Sequence, residues 1–128
     1  AHVIAFRELE RLKEEKLWQS GETKKYYTRL TEILRKYLEN RFDVFSMELT
    51  TSETLDALLK TNFSNNDAFN KLKHVLTSAD LVKFAKFKPE PSDNESNFEF
   101  AWGFVLETKK EETDSPGDKG LKSKEESL

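Results

Sequence analysis

Residues 22–42, ETKKYYTRLTEILRKYLENRF, constrain this chain more than any other stretch. Tyr26, Tyr27, Leu30, Ile33, Leu34, Tyr37, Leu38 and Phe42 recur at the spacing that gathers side chains on one side of a helix. The positions between them are mostly charged. About 20 residues at 1.5 Å rise make a rod roughly 30 Å long. Leu34, in the middle of the stripe, is expected to be fully buried.

The same pattern organises the rest of the chain. HVIAFRELERLKEEKLW, residues 2–18, reads as a first helix with Phe6, Leu9, Leu12 and Leu17 on its apolar side. QSG then breaks it, and Gly21 suits the left-handed residue that closes many helices. So short a connection predicts an antiparallel pair. Thr50 and Glu53 match a capping box, which starts a third helix with Leu55, Leu58 and Leu59 facing inward. Ser64 is the expected cap of a fourth helix, with Asp67 in its first turn and Phe69, Leu72, Val75, Leu76 and Ala79 as its stripe. Ser92 and Glu95 suggest another capping box. The fifth helix would bury Phe98, Ala101, Trp102, Val105 and Leu106. The fold class expected is therefore all-α, a bundle of about five helices spanning residues 1–110. From residue 111 onward EETDSPGDKGLKSKEESL is polar and punctuated by Pro and Gly, and reads as a disordered tail over 111–128.

Composition narrows the function classes. A length of 128 residues suits one domain. A net charge of -3 argues against a general nucleic-acid binder. With no cysteine there is no disulfide, thiolate nucleophile or zinc–thiolate site. No apolar run approaches the roughly 20 residues that span a bilayer, and no signal-peptide pattern is visible. The chain begins at Ala1 without Met, as expected of a piece of something longer.

Candidate chemistry is sparse. His2 and His74 are far apart, and His74 in KLKHVL has no partner in the sequence for catalysis or ligation. The four glycines are scattered and form no phosphate loop. RELERLKEEK alternates in sign and reads as an exposed helix face. These observations point away from an enzyme, a metal site or a cofactor. Tyr26, Tyr27, Tyr37, Phe42 and Phe45 resemble a base-stacking platform, but their helical spacing assigns them to the core. Trp18 and Trp102 read as packing anchors, although interface anchors also favour Trp.

One stretch supports two readings. In LTSADLVKFAKFKPEP, residues 76–91, lysines and apolar residues alternate densely before two prolines. Lysines near a helix C-terminus favour the macrodipole, and on that reading Phe84 and Phe87 insert into the core. Alternatively, Lys83, Lys86 and Lys88 form a basic lip for an acidic partner or anionic lipid headgroups.

The segments HVIAFRELERLKEEKLW, YYTRLTEILRKYLENRF, MELTTSETLDALL, ADLVKFAKFKP and AWGFVLETK, in that order, carry a family resemblance over about residues 1–110. The chain resembles the cytoplasmic helical domain of Bacteroidetes membrane proteins of unknown function. These are encoded near MoxR-type AAA+ ATPases and von Willebrand factor A-domain proteins, in aerotolerance-type operons. The resemblance implies a membrane anchor before Ala1, a place on the cytoplasmic side of the inner membrane, and a non-catalytic adaptor role. Its partner would be a MoxR-type ATPase or a von Willebrand A-domain protein, and Lys83, Lys86 and Lys88 are the surface assigned to it. The family supplies no catalytic residues to carry over. The alternative is a regulatory domain that contacts nucleic acid through helix two, where Lys24, Lys25, Arg29, Arg35, Lys36 and Arg41 lie among the tyrosines. Glu32 and Glu39 and the net charge oppose it.

Overall fold

A computed structural model describes residues 1–110, and the tail expected at 111–128 lies outside the described residues. Among them are five α-helices and no strand: α1 (His2–Glu15), α2 (Thr23–Phe42), α3 (Thr51–Leu59), α4 (Asn66–Phe84) and α5 (Pro91–Thr108). A single 3-10 turn, Ser46–Glu48, joins α2 to α3. The expected all-α bundle is the fold observed.

Helix α2 is the centre of the bundle and packs against α1, α4 and α5. Its stripe is buried from Tyr26 to Leu38, and Leu34 has no exposed surface. The pairing with α1 is antiparallel. Arg29 of α2 meets Glu15 at the end of α1 at 2.9 Å, while Lys36 and Asn40 lie beside Ala1 and Ile4.

The connection is more structured than a simple break. Helix α1 ends at Glu15, three residues before Trp18, because Lys16 turns left-handed at φ 51°. A second short turn follows, and Gly21 closes it at φ 88°. There the Glu22 amide donates to the Leu17 carbonyl at 2.8 Å and the Gly21 amide to the Trp18 carbonyl at 3.2 Å. This is the Schellman pattern that favours glycine.

The Thr50–Glu53 box forms as expected. The Glu53 amide donates to Thr50 Oγ1 at 3.1 Å and the Thr50 amide to Glu53 Oε1 at 2.9 Å. On α3 only Leu58 is fully buried among its leucines, and Leu59 is half exposed. Consecutive residues diverge by about 100° around a helix, so a nine-residue helix with one narrow contact face cannot bury both.

Two predicted caps fall elsewhere. Asn65, not Ser64, caps α4 by accepting the Ala68 amide at 3.0 Å. The Ser92–Glu95 box does not form, because Pro91 takes the first helical position, where its missing N–H costs nothing. The box is instead Glu90 with Asp93, whose carboxylate accepts the Glu90 amide at 2.9 Å.

Helix α5 buries Ala101 and Val105 as expected, but its inward face is rotated away from Leu106. Asn94, Asn97, Ala101, Phe104, Val105 and Thr108 are buried, whereas Leu106 is exposed and Phe98 and Trp102 lie at the margin. The hydroxyls of α2 explain this. Tyr26 OH donates to the Asn94 carbonyl at 3.1 Å and Tyr27 OH to Asn94 Oδ1 at 2.7 Å. Tyr37 OH lies 2.9 Å from Thr108 Oγ1. Buried tyrosines need partners for their hydroxyls, and the polar side of α5 provides them.

Candidate interaction surface

The last core residue of α4 is Val82, only 8% exposed. Phe84, two residues on, falls on the far side of the helix and is 79% exposed. The expectation that Phe84 and Phe87 enter the core is therefore overturned. Chain reversal accounts for Phe87. The Ala85 and Phe87 amides both donate to the Leu81 carbonyl at 3.1 Å, and Lys86 takes φ 58°. Phe87 folds back beside Leu81, and both stay about half exposed. With Val82 and Pro89 they border a groove of about 200 Å³, to which His74 and Asn97 add polar edges.

The three lysines of this segment are not equivalent. Lys86 and Lys88 lie exposed on the connection to α5. Lys83 is half-buried, with Nζ 5.8 Å from the centre of the Phe84 ring. Burial and the nearby Arg35 guanidinium push its ammonium below the ordinary lysine value, while Asp80 and Glu32 act in the opposite sense. Lys83 thus feels charges on both α2 and α4 and is partly covered, whereas Lys86 and Lys88 are exposed.

Arg35 anchors the neighbouring segment, a role that nothing marks in the sequence beyond a cation in a helix. Its Nη1 donates to the Ser46 carbonyl at 2.7 Å, Ser46 Oγ at 2.8 Å, the Leu49 carbonyl at 2.9 Å and Thr54 Oγ1 at 3.1 Å. The guanidinium so pins the 3-10 turn and the start of α3 to α2. Thr51 Oγ1 then donates to Asp80 at 2.6 Å, tying α3 to α4.

Other candidate groups have structural partners. Tyr26, Tyr27 and Tyr37 are buried, Phe42 packs edge-on to Tyr37 at 6.3 Å, and of the aromatic set only Phe45 is largely exposed. Of the helix-two cations, Arg29 pairs with Glu15, Arg35 is held as above, and Arg41 donates to the Thr108 carbonyl at 2.8 Å. Lys24, Lys25 and Lys36 are exposed. His74 Nδ1 lies 2.9 Å from Asn97 Oδ1. Because the Asn97 amide nitrogen already donates to Tyr27 OH and the Asp93 carbonyl, His74 is the donor of this bond.

Among the described residues no cluster of three or more His, Cys, Asp or Glu could hold a metal ion. None of the described helices is long and apolar enough to cross a membrane. Comparison of the chain with family models, curated proteins and solved structures finds no match.

Proposed function

We propose that this chain is a non-catalytic interaction domain, the cytoplasmic part of a membrane-anchored protein, that captures a partner through the end of α4. The observation that supports this is the exposure of Phe84, at 79%, between Leu81 and Phe87 and beside Lys86 and Lys88. Large apolar groups clustered on a surface are a feature of contact sites, and the lysines favour an acidic rim on the partner. The partner proposed from the family resemblance is a MoxR-type ATPase or a von Willebrand A-domain protein.

Crosslinking capture from a membrane-plus-cytosol lysate tests the surface. Phe84→Asp and the pair Lys86→Glu with Lys88→Glu are the informative variants. Lys83→Glu is a poorer one, since it would place a carboxylate beside Asp80 and Glu32. The native chain should enrich one of these partners, and both variants should lose it. Equal enrichment by all three chains would move the contact elsewhere. Flotation of the chain with anionic vesicles, without any protein enriched, would reassign the surface to a bilayer.

A further inference from the structure

A second concave surface lies between the α1–α2 connection and α5, and it shares no residue with the end of α4. We propose that it binds a cationic side chain, arginine or lysine, presented by a partner polypeptide. The groove encloses about 480 Å³, within the range of ligand-binding clefts. Trp18, Tyr26, Phe98 and Trp102 provide its aromatic lining, and Glu95 and Glu99 its negative charge.

The aromatic lining is fixed in place. Phe98 and Trp102 stack at 6.3 Å with 29° between their planes, and Phe6 supports Trp102 at 4.5 Å. Tyr26 is buried, with its hydroxyl bonded to the Asn94 carbonyl. Rigid rings cost little entropy on binding.

The charge is complementary to a cation. Glu95 and Glu99 are exposed, stand one helical turn apart, and belong to no ion pair among the described residues. Burial first, then the neighbouring Tyr27 and Glu95, raise the Tyr26 hydroxyl above the ordinary tyrosine range. Ring faces with adjacent carboxylates attract an ammonium or guanidinium and repel an anion.

The chain supplies its own precedent. Lys13 Nζ lies 5.9 Å from the centre of Phe98, at the outer limit of cation–ring contact. Lys13 also lines the groove, so one cation faces two carboxylates there. It therefore competes with an incoming side chain, and removing its charge should favour binding.

The two tryptophans of the chain both lie in this groove, so their indole N–H signals report on it. The experiment is an NMR titration of the full chain with acetyl-Gly-Arg-Gly-amide and with the neutral citrulline counterpart. Both indole signals should shift and saturate with the arginine peptide. The citrulline peptide should bind about ten-fold more weakly, and Glu95→Gln with Glu99→Gln should weaken the arginine peptide comparably. Lys13→Gln should tighten it. These are surface substitutions, and dispersed indole signals verify that each variant is folded. Equal binding of the citrulline or an acetyl-Gly-Leu-Gly-amide peptide would make the groove merely apolar and overturn the proposal. Guanidinium ion binding as well as the peptide would overturn the polypeptide source. Absence of saturation by about 10 mM arginine peptide would overturn it entirely.

Discussion

Leu34 lies at the middle of α2 with no exposed surface, inside a core that also holds Leu9, Leu30, Leu38, Leu72 and Phe104. Truncation there removes apolar contact and leaves a cavity that close-packed neighbours refill only in part. Leu34→Ala should cost about 2 to 5 kcal/mol, read from the midpoint of chemical denaturation. A near-neutral result would contradict the orientation of α2. Buried polar residues have an equally definite place. Tyr27 OH donates to Asn94 and accepts from the Asn97 amide, which also serves the Asp93 carbonyl. These bonds set the rotation of α5 about its axis, since a buried polar group left unpaired costs more than a well-made bond gains.

At the scale of elements, the boundaries follow caps rather than apolar spacing. Helix α3 has only nine residues and little intrinsic stability, so its start depends on the Thr50–Glu53 box. Thr50→Ala should destabilise the domain by about 1 kcal/mol. Hydrogen exchange should show the loss first in the opening turn of α3; unchanged protection there would mean that Arg35 alone holds the segment. Between α4 and α5, Lys71 binds both Asp67 and Glu107 and crosses the face of Gly103. A Cβ at Gly103 would come within 3.1 Å of Lys71 Cε, so the end of the lysine side chain occupies the space that a larger residue would need.

For the whole molecule, the hydroxyls of α2 predict how stability depends on pH. Burial raises all three above the ordinary tyrosine value of 10.0, and they are the only tyrosines in the chain. A raised value in the folded state means that the unfolded chain releases these protons first. The stability they confer is complete below about pH 10 and is lost as pH rises above it. Tyrosinate absorbance and helical circular dichroism should therefore change together in one alkaline transition. Tyrosinate appearing while the helices persist would show that the hydroxyls are accessible in the folded protein.

The helices themselves were legible in the sequence, because an apolar stripe at helical spacing is a local property that any water-soluble packing must hide. The core of α2, the Thr50–Glu53 box and the turn at Gly21 all follow from residues within a few positions of one another. The tertiary structure decided whatever depends on residues far apart in the chain. Asn94, Asn97 and Thr108 face inward because tyrosines some 70 positions away require partners for their hydroxyls. Arg35 is a structural anchor because the Ser46 turn and Thr54 come back to it. Phe84 is exposed because the core of α4 ends at Val82 and none of the described helices covers the opposite face. The sequence located the segment that carries the candidate surface, but mistook which of its groups are available. Apolar character marks a residue as able to be buried, and only the arrangement of neighbouring helices determines whether it is.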